Sequence, residues 1–272
     1  MARNHDLKGQ MAVVTGASSG IGLCFCRTLA ARGCDLFMIS NQTGLLERCA
    51  EEIADTFGVR AIPFFCDLTA SDATARIIDR LDTDGLDPDI LINNAGIFSF
   101  LPVTDTPEGK LKCFIDLHVS AVTMLSRAFA SRFAKRGGGR ILNMSSMSCW
   151  MPMPGLAMYA ATKSYIRVFT RSLHYEMRDA GVSVTAACPG GIATDLFGLP
   201  KNLQNLALRL KVLQTPEKFT KRRPKNAQGE KAVYQRLAEP YFHCFCGSHA
   251  HPRPYGRKAP YARQKHHTSL IC

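Results

Sequence analysis

Tyr159 and Lys163 stand four residues apart, a spacing that puts both side chains on one face of a helix. A phenol ionises near ~10 and exchanges protons poorly at neutral pH unless a nearby cation favours the phenolate. Lys163 is spaced to be that cation. Taken singly, each residue also has a plainer reading, the tyrosine as a packed aromatic and the lysine as a solvated charge. A second constellation lies near the start, Thr15-Gly16-Ala17-Ser18-Ser19-Gly20-Ile21-Gly22. Glycines lacking a Cβ let a phosphate approach the backbone, and a helix that follows offers free N–H groups and the positive end of its dipole. The pyrophosphate of a dinucleotide is the natural occupant; an ordinary strand-to-helix turn is the alternative.

The elements that must position these groups follow from period and punctuation. Met11 to Thr15 reads as a buried strand, and Ile21 to Ala31 has helical spacing until Gly33. The alternation repeats with strands at Asp35 to Ser40, Arg60 to Cys66, Asp89 to Asn93, Arg140 to Met144 and Val182 to Ala187. Helices are expected at Thr43 to Phe57, Ser71 to Leu81, Lys110 to Lys135 and Ala157 to Ala180. Strands joined by helical crossovers pair in parallel, and apolar runs such as AVVTG, LFMIS and DILIN suit burial on both faces. The expected fold is therefore α/β, a doubly wound parallel sheet with helices on both faces. Its ligands belong at the carboxyl ends of the strands.

The TGxxxGxG spacing resembles the short-chain dehydrogenase/reductase family. Four later segments match in order: Asn93-Asn94-Ala95-Gly96 (NNAG), Asn143-Met144-Ser145-Ser146, Tyr159-Ala160-Ala161-Thr162-Lys163 (YxxxK) and Pro189-Gly190-Gly191-Ile192-Ala193-Thr194. The resemblance covers about residues 7 to 220 and is closest to the steroid and long-chain 3-oxoacyl reductase branch. It implies a Rossmann-type single domain that couples hydride transfer from a nicotinamide to proton transfer by Tyr159. Ser146, thirteen residues before Tyr159, matches the serine that holds the substrate oxygen, and Lys163 matches the lysine that binds the nicotinamide ribose and lowers the tyrosine pKa. The same resemblance assigns cofactor contacts to Gly16, Ser18, Ser19, Gly20, Ile21, Gly22, Asn41, Asp67, Asn94, Ala95, Gly96, Tyr159, Lys163, Pro189, Gly190, Ile192 and Thr194. Asp67 would meet the adenine edge, or else serve as a helix N-cap. One position departs from the family, since Asp116-Leu117-His118 places a histidine where an asparagine anchors a relay water. His118 could hold that water, donate protons near pH 6 to 7, or simply be packed in the helix.

At the end of the second strand, Met38-Ile39-Ser40-Asn41-Gln42 carries no carboxylate to repel a 2′-phosphate, so NADP(H) is favoured over NAD(H), although the arginine common in NADP-type members is also missing at Asn41. The loop Cys149 to Met158 is apolar and holds the single tryptophan; Leu196, Phe197, Leu199 and a leucine-rich helix from Leu203 to Leu213 follow Thr194. In the family these segments cover the substrate, with the lid here at about 191 to 213. They suggest a small apolar ketone or alcohol such as a 3-oxoacyl thioester, a long-chain ketone or a steroid-like molecule; packing in the core or at a subunit interface is the alternative. A homodimer or homotetramer is expected from the family.

The chain has 272 residues, 46% hydrophobic, enough for one large core. No run suits a membrane span or a signal peptide, so a cytoplasmic protein with reduced thiols is expected, its eleven cysteines mostly small core residues. The net charge of +12 has a single source: residues 1–200 hold 19 basic and 19 acidic side chains, residues 201–272 hold 15 and 3. Residues 1–220 form the expected oxidoreductase domain, and 221–272 an atypical basic tail expected to be poorly ordered. An altered end replacing the family's own C-terminus is the favoured reading of the tail, ahead of a basic arm touching nucleic acid and of a metal site at His243, Cys244, Cys246, His249 and His251. Nucleic acid and metal are thus not expected partners. The alternative to an active enzyme is a dinucleotide-binding protein with turnover lost or impaired through the altered C-terminus.

Overall fold

The computed structural model describes residues 7–194, 196, 198, 200–210 and 213–220. The chain alternates strand and helix: β1 Met11–Thr15, α1 Gly20–Ala30, β2 Asp35–Ser40, α2 Thr43–Phe57, β3 Ala61–Phe65, α3 Ala73–Thr83 and β4 Ile90–Asn93. Then come α4 Glu108–Ile115, a π-helical segment Asp116–Ala121, α5 Val122–Lys135, β5 Gly139–Met144, α6 Ala157–Met177, β6 Val182–Ala187, α7 Lys201–Arg209 and α8 Pro216–Thr220. The six strands form one parallel sheet in the order β3-β2-β1-β4-β5-β6. The order reverses between β1 and β4, and that reversal opens a crevice at their carboxyl ends.

The central strands are mostly apolar because they face two cores. Met11 and Val13 of β1, Phe37 and Ile39 of β2 and Leu91 of β4 pack with Ile77 and Leu81 of α3 and with Leu125, Phe129 and Phe133 of α5. Their neighbours Ala12, Val14, Leu36, Met38, Ile90 and Ile92 turn to the other side, against Cys26 and Leu29 of α1 and Leu46, Cys49 and Ile53 of α2. The described cysteines are free thiols, and all but Cys113 are buried. Among the described residues β3 is an edge strand, with Phe65 exposed, and Pro63 is tolerated there because no further described strand needs its missing N–H. Among the described residues β6 is the outer strand at the opposite edge.

Three boundaries differ from the sequence reading. The stretch read as one long α-helix starts at Glu108 and is broken by the π-helical segment Asp116–Ala121. The last helix of the reading ends at Met177 and is followed by a 3-10 turn, Arg178–Ala180, closed by Gly181 at φ 74. The leucine-rich helix runs from Lys201 to Arg209, earlier than expected, and α8 was not anticipated. Helix Glu108–Lys135 is long and apolar enough to cross a membrane by length and composition; half of it is buried here, with Leu125, Phe129 and Phe133 against the sheet. The tail reading, with its histidines and cysteines, lies outside the described residues, as do Phe197 and Leu199 of the lid.

Candidate active site

A cavity of about 660 Å³ occupies the crevice at the carboxyl ends of the strands. Of the residues singled out in the sequence, Gly16, Ser18, Ser19, Gly20, Ile21, Asn41, Asp67, Asn94, Ala95, Gly96, Ser146, Tyr159, Lys163, Pro189, Gly190, Ile192 and Thr194 all line it. Segments as far apart in sequence as the first turn and the end of β6 meet there because parallel strands deliver every βα loop to the same edge. Gly22 and His118 do not line the cavity.

The glycine turn is built by close approach. Gly16 sits at φ 64, and a Cβ there would lie 2.9 Å from the Cα of Ala95. A Cβ on Gly22 would lie 2.1 Å from the carbonyl oxygen of Gly16, so this glycine lets α1 pack beneath the turn rather than facing a ligand. The N-terminus of α1, capped at Ser19, therefore opens onto the cavity. At the end of β2 the surroundings are polar and carry no carboxylate: Ser18 and Ser40 share a hydrogen bond of 2.9 Å, and the Ser18 hydroxyl donates to Gln42 Oε1 at 3.2 Å. Arg27 of α1, which sequence reasoning passed over, brings a cation to the same cavity while pairing with Glu52 at 2.8 Å. This set of glycine cradle, helix N-terminus and guanidinium fits a dinucleotide phosphate.

Thr15 was read only as a strand end and the first residue of the glycine turn; in the fold it welds the two halves of the crevice. Its Oγ1 accepts from the N–H groups of Asn94 and Ala95 at 2.9 and 3.0 Å, and Asn94 Nδ2 donates back to the Thr15 carbonyl at 3.0 Å. Below, Asn93 Nδ2 donates to Asn143 Oδ1 at 2.8 Å, and Asn143 Nδ2 donates to Thr170 Oγ1 at 3.0 Å, joining β4, β5 and α6. Asp67 is not the N-cap of α3, whose cap is Asp72; its Oδ1 accepts from Thr69 N and Oγ1 at 2.9 and 2.8 Å, closing a local turn.

At the other end of the cavity Tyr159, Ser146 and Lys163 line the same wall. Ser146, two residues beyond the end of β5, caps a 3-10 turn, Met147–Trp150, its Oγ accepting from Ser148 N at 3.2 Å. The neighbouring Ser145 instead donates to the Lys163 carbonyl at 2.7 Å, which fixes β5 against α6. Lys163 Nζ donates to the Met144 carbonyl at 2.9 Å and lies 5.6 Å from the centre of the Tyr159 ring. Both groups are buried, at 7% and 5% exposure. Burial pushes the Tyr159 phenol up from its usual 10, with the neighbouring Ser146 opposing, and pushes the Lys163 ammonium down from 10.5 to about 8. The expected lowering of the phenol by Lys163 is therefore not what this geometry gives, because desolvation outweighs an ammonium turned towards a carbonyl.

His118 is fully buried beneath the site, in the π-helical segment. Its Nε2 accepts from Ile97 N–H at 3.1 Å, and Nδ1 lies 3.0 Å from Thr162 Oγ1, which itself donates to the Tyr159 carbonyl at 3.0 Å. The network assigns the proton to Nδ1 of a neutral ring. Neither nitrogen is left for a water, and burial together with the Lys163 charge holds the ring well below the usual 6.5. Of the three readings of this residue, the packed one fits.

The apolar loop is placed differently from expectation. Phe98 lies edge-on to Tyr159 at 5.0 Å between centres, and Leu196 lines the main cavity. Cys149, Trp150, Met151, Pro152, Met153 and Pro154 instead surround a second cavity of about 570 Å³ on the other side of the turn.

Residues 10–202 match the short chain dehydrogenase family. A very-long-chain 3-oxoacyl-CoA reductase of Macaca fascicularis is 33% identical over 220 residues, 78% of this chain and 67% of that one. An inactive hydroxysteroid dehydrogenase-like protein of Homo sapiens is 33% identical over 190 residues, 69% of this chain and 57% of its own length. Among solved structures, the L-sorbose reductase of Gluconobacter frateurii complexed with NADPH and L-sorbose superposes with a TM-score of 0.71 at 27% identity, covering 79% of this chain and 88% of that one.

Proposed function

This chain belongs to the short-chain dehydrogenase family, and on that footing we propose that it reduces a ketone on an apolar substrate, or oxidises the matching secondary alcohol, with NADP(H) as the preferred cofactor. The observation that carries the reading is the meeting of Ser146, Tyr159 and Lys163 in the same cavity as the glycine cradle. The nicotinamide cofactor, when bound, supplies the hydride. Gly16, Ser19, Gly20 and Arg27 are placed to hold its phosphates, and the absence of a carboxylate among Ser40, Asn41 and Gln42 supports the 2′-phosphorylated form.

Ser146 holds the substrate oxygen within reach of the phenol, and Tyr159, kept protonated by burial, donates its proton to that oxygen. Lys163 is close to its titration near neutral pH, so it re-protonates readily and attracts negative charge as it develops on the phenol. His118 braces Gly96 and Ile97 against α6 and takes no part in the relay. Phe98 and Leu196 give the reacting end an apolar wall, consistent with a 3-oxoacyl, long-chain or steroid-like ketone. Exposed Met124, Tyr165 and Val168 on α5 and α6 support association into a homodimer or homotetramer. Free thiols throughout the described residues accord with a cytoplasmic setting.

The test is a panel of 3-oxoacyl thioesters, long-chain ketones and steroid ketones, followed by loss of NADPH absorbance. Turnover of one class with NADPH, and slower turnover with NADH, is the expected result. The second reading, a dinucleotide-binding protein without turnover, draws on the relative named inactive. It requires NADPH to raise the melting temperature while no member of the panel is reduced.

A further inference from the structure

Two thiols flank the catalytic serine from adjacent strand ends. β5 and β6 run in register with Met144 opposite Ala187, and Ser145 N donates to the Ala187 carbonyl at 2.7 Å and Met147 N to the Pro189 carbonyl at 2.8 Å. The 3-10 turn after Ser146 then folds Cys149 back over Cys188, the residue before the Pro189-Gly190 wall of the cavity. With Ala186 the two cysteines make a small packed cluster of their own, exposed by 6% and 1%.

Among the described cysteines, Cys149 alone is shifted towards the thiolate: the neighbouring Cys188 thiol, with the charge of Arg167, outweighs burial, and Cys188 is pushed up in turn. Cys24, Cys26, Cys34, Cys49, Cys66 and Cys113 are all held up, by burial first. Cys149 also lines the second cavity, whose rim carries the exposed Trp150 and Met153, so a small solute can reach it without entering the dinucleotide groove.

We propose that Cys149 and Cys188 are a peroxide-sensitive dithiol that closes to a disulfide and thereby shuts down the adjacent catalytic site. The Cys149 thiolate attacks one oxygen of hydrogen peroxide, the O–O bond breaks, and the departing hydroxide takes up the proton the thiol had released to become water. Cys149 is then a sulfenic acid. The Cys188 sulfur displaces its hydroxyl, which leaves as a second water with the Cys188 proton, and the S–S bond forms. The two sulfurs lose two electrons in all and the peroxide gains them; a small dithiol reverses the reaction.

The effect on turnover follows from where the cysteines sit. Two packed but unbonded thiols must close to a bond of about 2 Å, which draws the Ser146 turn and the Pro189 segment together. A misplacement on the order of 1 Å at a catalytic group costs roughly 10²-fold in rate. This second half rests on the proposed reductase function, whereas formation of the disulfide does not.

The experiment treats the reduced full-length chain with hydrogen peroxide, alkylates the remaining thiols under denaturing conditions, and maps tryptic peptides without reduction. Expected is a linkage between the peptides 141–163 and 179–201, which carry Cys149 and Cys188. At least a tenfold loss of NADPH-dependent turnover should accompany it, reversed by dithiothreitol and absent in Cys188→Ala. If the protein proves to have no turnover, the NADPH-induced melting shift replaces it as the readout and should shrink on oxidation. Recovery of both cysteines as alkylated thiols, or linkage only among other cysteines, overturns the site. Linkage with turnover and cofactor binding unchanged overturns the switch.

Discussion

A phenol buried at 7% exposure keeps its proton at neutral pH, and that proton is what carbonyl reduction consumes. Replacing Tyr159 by Phe removes the donor without altering the packing against Phe98, so kcat should fall about 10²- to 10⁴-fold. The NADPH-induced melting shift should survive, and its loss would show a folding defect instead. Lys163 makes the opposite trade. Its folded pKa of about 8 lies below the unfolded 10.5, so the buried charge destabilises the fold below pH 8. As pH rises from 8 to 10.5 the unfolded state holds more protons than the folded one, and that penalty is relieved. Lys163→Met should therefore stabilise the protein at pH 7, by on the order of 1–3 kcal/mol, while abolishing turnover, with the gain shrinking as pH is raised. Denaturant titrations at several pH values measure this. His118 is held below 6.5 in the fold, so the unfolded chain takes up a proton that the folded one refuses and stability falls as pH drops below that value. His118→Asn should soften this acid sensitivity and leave the pH–rate profile between about 6 and 8 unchanged. A profile that moved with the substitution would put the ring back in the relay.

At the scale of elements, the crevice depends on contacts that tie one loop to another. Thr15 Oγ1 is the common acceptor for two backbone N–H groups of the β4 loop. Thr15→Val keeps the shape and orphans both donors, which should cost about 1–3 kcal/mol and weaken NADPH binding together with stability. An unchanged melting temperature would mean that these groups find other partners. The sequence pointed to the threonine as the last residue of a strand and the first of the glycine turn, without a partner for its hydroxyl. Its hydroxyl acquires a partner because β4 lies beside β1, and that adjacency is set by a crossover through 74 intervening residues, not by local pattern. The π-helical segment is similar: no residue between Lys110 and Lys135 breaks the helical period, yet the helix takes in an extra residue at Asp116–Ala121, the segment that carries the buried His118.

For the whole molecule, the basic charge is segregated, with 15 basic and 3 acidic residues in 201–272 against a balanced remainder. The carboxylates Asp82, Asp87 and Asp89 are drawn into pairs with Arg132 and Arg136 at the amino ends of the strands, away from the crevice. If the tail is an altered end rather than a working part, deleting residues 222–272 should leave the NADPH melting shift in place. A basic arm on nucleic acid would instead show affinity that falls steeply with salt and disappears with the deletion. Sedimentation at several concentrations tests association through Met124, Tyr165 and Val168; a monomer at all of them would refute it.

The order of elements, the two-sided burial of the strands and the identity of most groups around the cavity were legible in the sequence, because period, punctuation and motif spacing are local properties of the chain. Legible too was the pairing of Tyr159 with Lys163, which a single helical turn enforces. Only the tertiary structure decided the electrostatics: that desolvation raises the phenol, that the ammonium turns to the Met144 carbonyl, that both His118 nitrogens are engaged, and that the apolar loop encloses a cavity of its own. Each of these depends on what lies within a few ångströms in space, and for residues tens of positions apart in the chain that is fixed by how the sheet closes.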